Sequence, residues 1–134
     1  ASVHFKPHDP QFFEQGLTLL MTGSLAGLSN ADLVVVLTAT GVPNVLCTNR
    51  GGGSAPGQNP GETTVSGTVS IPASSIQNGQ LFVSLSTQAP PKPNAAASCP
   101  NGNWDATITS MSFDSATVVV IQNNVIVLQE TFDL

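Results

Sequence analysis

"ATVVVIQNNVIVLQETFDL", residues 116–134, holds two runs of apolar, mostly β-branched residues separated by Asn123 and Asn124. Asparagine tolerates the positive φ that both central positions of a two-residue hairpin turn demand, and Val and Ile fit a pleated, half-buried surface. The stretch therefore predicts a β-hairpin, and with it an antiparallel sheet.

Upstream, the same reading continues. "WDATITSMSF", residues 104–113, points Trp104, Ala106 and Ile108 one way, whereas Met111 and Phe113 fall on the opposite parity. A β-bulge near Thr109 and Ser110 restores the register. "QLFVSLST" alternates through Leu81, Val83 and Leu85, and "PASSIQNG" before it predicts a tight or helical turn ended by Gly79. "TTVSGTVSIP" places Val65, Gly67, Val69 and Ile71 on one face and Thr64, Ser66, Thr68 and Ser70 on the other, so one face is buried and one is wet. "DLVVVLTATG", residues 32–41, is apolar at nearly every early position, as expected of a strand covered on both faces. "VPNVLC" carries it onward, with Pro43 and Asn44 marking an edge or a break. "LTLLMTGSLAGL", residues 17–28, gives a further strand, and "SNAD" the turn after it.

Seven to nine short strands with regular turn signals and no sustained 3.6-residue period predict an all-β chain, an antiparallel β-sandwich of immunoglobulin-like or jelly-roll-like type. A small barrel is the alternative. The sequence contains no tyrosine, which excludes the tyrosine corner of antibody-type domains. Its 134 residues suit one domain, 1–134.

Only 8% of residues are charged, far below the roughly 25% usual in soluble domains, so Ser, Thr, Asn, Gln and Gly must cover most of the surface. That composition fits an extracellular β-protein that tolerates close neighbours. The net charge is -5 with three basic residues, Lys6, Arg50 and Lys92, which argues against nucleic acid and against an anionic membrane surface. No apolar run is long enough for a membrane span. The start at Ala1 reads as a secreted product whose signal peptide has been removed, although a trimmed chain would begin the same way.

Two cysteines in such a chain most simply form one disulfide, Cys47 to Cys99; two reduced, buried thiols are the alternative. "CTNRGGGSAPGQNPGE", residues 47–62, lacks the lysine and the following helix of a phosphate loop, and the strands flanking it share one pattern, which rules against a domain linker. It reads as a long surface loop. A bond to the second loop, "QAPPKPNAAASCPNGN", would gather both at one end of the sandwich, and closing some fifty residues contributes about 4 kcal/mol in the chain-entropy model.

The spacing C-T-N-R-G-G-G-S-A-P-G-Q-N-P from Cys47 to Pro60, followed by C-P-N-G-N-W from Cys99 to Trp104, resembles a group of small secreted bacterial disulfide-containing β proteins. The resemblance implies export and the disulfide, and it implies no activity.

Ligand contacts are expected at the stapled end, from Asn49, Arg50, Asn59, Lys92, Asn101, Asn103 and Trp104. Trp104 would stack on a sugar ring, or else pack beside the disulfide. His4, His8 and Asp9 lie close together, but an extended segment with an intervening proline does not fix a metal geometry. The acids are scattered singly, and no nucleophile elbow occurs, so no catalytic residue, metal or cofactor is expected. The leading expectation is a non-enzymatic structural subunit that self-associates into a homopolymer, a filament or surface layer. Residues 1–13, with Val3, Phe5, Phe12 and Phe13, would then be an exchanged or donated strand, the alternative being a strand paired within its own sheet. The other reading is a carbohydrate-binding module that takes polysaccharide on the tied loops.

Overall fold

The structure, a computed structural model, describes residues 3–57, 61–91 and 99–134. It is an antiparallel β-sandwich. Its strands are β1 (His4–Phe5), β2 (Gln11–Gln15), β3 (Thr18–Ala26), β4 (Leu33–Thr48), β5 (Ser54–Pro56), β6 (Thr63–Ile71), β7 (Leu81–Ser86), β8 (Asp105–Gln122) and β9 (Val125–Asp133). In the smaller sheet β3 is central; β7 runs along one side, and β1 and β2 lie end to end along the other. In the larger sheet β4 is flanked by β8 on one side and by β6 and then β5 on the other, with β9 outside β8.

The core follows the alternation. Leu19, Met21 and Leu25 of β3 face Leu33, Val35, Leu37 and Ala39 of β4 and Ala116, Val118 and Val120 of β8, all buried. β8 keeps its apolar residues inward by changing parity twice. Ala106 is buried, then Met111 and Phe113, then Ala116, Val118 and Val120. The register slips between these sets: Val45 pairs Ile108 while Asn44 pairs Ser110, leaving Thr109 extra, and Gly41 pairs Phe113 while Thr40 pairs Ser115, leaving Asp114 extra. The first bulge is the expected one; the second was not legible. It lies against Gly41, where a Cβ would come within 2.5 Å of the Ser112 carbonyl oxygen, so only glycine fits beneath it. The Asn123–Asn124 turn has φ of 53° and 62°, as the hairpin requires.

The two sheets are laced along both sides. β9 ends opposite Ser115, so on that edge, among the described residues, the earlier part of β8 has no strand partner. There the Met111 N–H donates to the Gly16 carbonyl at 3.0 Å, and the Phe113 N–H donates to the Glu14 Oε1 at 3.1 Å, both groups belonging to the β2–β3 hairpin. Backbone donors of one sheet are thus satisfied by the other. On the opposite side the end of β7 crosses β6 so closely that a Cβ on Gly67 would lie 2.1 Å from the Ser86 carbonyl oxygen. Gln122, 3% exposed, ties the β3–β4 turn to β8: its Oε1 accepts from the Ser29 N–H and hydroxyl, and its Nε2 donates to the Ser29 and Ala31 carbonyls. Among the described residues no buried side-chain polar atom lacks a partner.

Two expectations need correction, and a third is decided between its alternatives. Of an edge or a break at Pro43, the edge holds: β4 runs unbroken to Thr48, with Pro43 fully buried opposite Met111. The pairing with β6 reaches only Gly41 and that with β5 begins at Leu46, so among the described residues no strand lies along that edge at the proline and its missing N–H costs no ladder bond. The segment after Cys47 is not simply a loop. Ser54–Pro56 pairs with Leu46–Thr48 as β5, because the turn Asn49–Gly53 folds the chain back. Finally, β4 is covered on one face only. Its odd positions from Leu33 to Ala39 are buried, whereas Val34 and Val36 face outward and are only half-buried.

Candidate functional site

The chemistry-bearing residues gather in two places. The first is the end of the sandwich held by the Cys47–Cys99 disulfide, whose Cα atoms lie 5.8 Å apart. Cys47 points inward from β4 and is buried with Val45 and Ala106; Cys99, Trp104 and Ile108 pack around these three. Gly57 crosses directly over the bond, its N–H donating to the Val45 carbonyl, and a Cβ there would meet Val45 at 2.7 Å and the Cys47 Sγ at 3.0 Å. The return of the chain over the disulfide therefore depends on glycine.

The ligand candidates at this end are largely occupied by their own turns. The Asn49 Oδ1 accepts from the Gly53 N–H at 2.8 Å and its N–H donates to the Gly53 carbonyl, closing the β4–β5 hairpin. The Asn101 Oδ1 accepts from the Asn103 N–H at 2.9 Å, an Asx-type turn that delivers Trp104 to β8. Trp104 is half-buried against the disulfide cluster, and Arg50 and Asn103 are exposed on the turns. Asn59 and Lys92 lie outside the described residues.

The second place is the seat of the N-terminal segment. Here the body of the sandwich presents a set of complementary features to residues 3–13. Phe5, half-buried, meets Phe132 of β9 edge-on at 6.2 Å, and Phe12 meets the same ring at 5.4 Å. Val3 packs against the same core, whereas Phe13 is 46% exposed on the outer side. The Lys6 N–H donates to the Ser24 carbonyl, the Ser24 N–H donates to the Asp9 carboxylate at 3.0 Å, and the Lys6 ammonium reaches the Gln80 side chain. Pro10 rests on Gly23, where a Cβ would lie 3.1 Å from the proline Cα and 3.3 Å from the Phe5 ring. A glycine at an inward position of an alternating strand is the sequence signal for such an approach, but what approaches it is not written locally. The segment pairs with β3 of its own chain, His4 opposite Ala26 and Gln11 opposite Thr22.

His4, His8 and Asp9 do not converge: Asp9 is turned to Ser24, and among the described residues no three His, Cys, Asp or Glu side chains form a metal-sized group. Among those residues, too, no helix is long and apolar enough to cross a membrane. Compared with known proteins, the chain matches no family model, no curated protein and no solved structure.

Proposed function

We propose that this chain is a secreted, non-enzymatic structural protein, a subunit of an extracellular filament or surface assembly whose copies are joined by exchange of the N-terminal segment. The observation that carries the reading is the way residues 3–13 are held. They engage β3 as a bound peptide engages an exposed sheet edge, with backbone bonds for affinity and alternate side chains, Phe5 and Phe12, in an aromatic seat for specificity. Every one of these contacts is satisfied equally by the same segment of a neighbouring copy, and exchange of an identical element is a low-cost route to association. The attachment of β1 itself is slight, two register pairs with Leu25 and Ala26. A surface with few charges leaves broad uncharged areas on which copies can meet. The disulfide accords with an oxidising, extracellular setting. A polysaccharide-binding module draws less support, since Trp104 is committed to the disulfide cluster and Asn49 and Asn101 to their own turns.

The test uses the register of β1. His4 and Ala26 are directly opposite, a spacing at which an antiparallel pair accepts a disulfide. Full-length H4C/A26C, assembled and then oxidised, should give a ladder of covalent multimers on a non-reducing gel, with filaments or sheets by electron microscopy. A single monomer band from concentrated material would show that the segment never leaves its own chain, and the exchange reading would fall.

A further inference from the structure

The outward side of the larger sheet carries an interaction surface of its own. Three adjacent strands are apolar on both faces in sequence, "DLVVVL", "TVVVIQ" and "VIVL", yet among the described residues the core packs against only one face of each. Val34 and Val36 of β4, Val119 and Ile121 of β8 and Ile126 of β9 fall together by register on the outward side. The first four are half-buried, and Ile126 is 56% exposed. An open depression of about 630 Å³ bounded by Val34, Ser70, Ile121 and Asn124 lies at this end of the sheet. Further along the same face the aliphatic rows give way to hydroxyl rows, where Thr40 meets Thr64 at 3.2 Å and Thr117 meets Thr131 at 3.0 Å. Across four strands and four registers the one charged residue is Asp133, at a corner.

We infer that this face docks a second copy of the chain, outward sheet against outward sheet, with its aliphatic half on the partner's aliphatic half. This rests on the assembly reading above and supplies its lateral contact. The chemistry of the face selects the occupant. It has no aromatic platform for a sugar ring, and no Lys or Arg for phosphate or an anionic membrane. Against a copy of itself it is complementary. A two-fold axis parallel to the strands, between β4 and β8, lays β9 of one copy over β6 of the other and keeps aliphatic rows on aliphatic rows. The two Asp133 carboxylates are then about 14 Å apart laterally at ordinary strand spacing, beyond a screening length of roughly 8 Å at physiological salt. A chain of net charge -5 thus has a face on which its copies do not repel.

The size of the face says how it is used. Four strands by four alternate residues span about 20 Å by 20 Å, roughly 400–500 Å² per copy, under the approximately 800 Å² per partner of a stable standard interface. An isolated pair is therefore weak, and the contact becomes durable only when a polymer repeats it and the copies act together.

Three full-length proteins decide the matter: the wild type, V36K/V119K, and H4C/A26C oxidised at low concentration so that the N-terminal segment is locked to its own chain. Melting temperature controls for folding, since both lysines replace outward side chains. Sedimentation at rising concentration should show polymers in the wild type and weak, reversible pairing in the locked chain, while V36K/V119K forms polymers whose further association is reduced at least tenfold. Electron microscopy should show wild-type polymers gathered side by side and V36K/V119K polymers single. Association of V36K/V119K equal to wild type overturns the face, as does a wild type that stays monomeric to millimolar concentration. Loss of association in the locked chain alone supports exchange and overturns the face; association retained in the locked chain, with no polymers in V36K/V119K, supports the face and counts against exchange.

Discussion

The body of the sandwich and its disulfide end are built from the same strands, β4 and β8, yet they are held by different forces. In the body, fifteen buried residues from five strands and Leu28 from the β3–β4 connection form one cluster, laced by Gln122 and by backbone bonds between the sheets. At the disulfide end, among the described residues, the buried cluster is Val45, Cys47 and Ala106, and one of these is half of the covalent bond. Three small side chains cannot offset the ordering of the turns around them, since fixing each residue costs on the order of 1–2 kcal/mol. A ribbon that extends past its apolar core needs a constraint of another kind, and the bond supplies it.

The largest expected effect tests this division. C47A/C99A should lose about 4 kcal/mol in denaturant unfolding, because a crosslink across a separation of 52 residues no longer restricts the unfolded chain. Hydrogen exchange of the variant should rise first at Val45–Thr48, Ser54–Pro56 and Asp105–Ile108 while Leu33–Ala39 stays protected. Uniform loss of protection would erase the distinction between the two regions. In the body, Gln122→Leu should cost about 2–3 kcal/mol, since a shape-matched apolar side chain strands the Ser29 N–H and the carbonyls of Ser29 and Ala31. That loss should appear as a lower global midpoint, with the disulfide end no more open than before; a change below about 0.5 kcal/mol would show that water replaces the side chain at no cost. Smallest of the three, Asn49→Ala should cost about 1 kcal/mol, the value of one turn-closing bond. Its mark is local, faster exchange at Gly53 and Ser54 alone, and a spread of the effect into β8 would mean that the hairpin supports more than itself.

The strands were legible wherever alternation is local. Val65 to Ile71, Leu81 to Leu85 and the Asn123–Asn124 hairpin stand as the sequence implies. The bulge at Thr109 was legible for the same reason, because a parity change in an apolar pattern has few other remedies. What could not be read depends on partners distant in sequence. "SAP" becomes β5 only because the turn at Asn49 presents it to the free edge of β4. Pro43, which the sequence leaves as an edge or a break, stays within β4 because among the described residues no strand reaches that edge. Phe5 and Phe12 carry no sign that they share one ring on Phe132. The apolar pattern of β4 states a preference for cover on both faces, and the described residues supply it for one.

The two extra residues of β8, Thr109 and Asp114, have a consequence for how the molecule can change. Each bulge inserts one residue and adds local bend without altering which side the following residues face. β8 is therefore three short reading frames joined by two adjustable elbows. Removing either elbow residue would straighten the ribbon yet leave every apolar side chain pointing inward, because the extra residue is the source of the parity change and its flanks alternate directly without it. The tilt of the disulfide end relative to the body can in this way drift by single-residue insertions and deletions, a class of change that ruins the register of an ordinary strand.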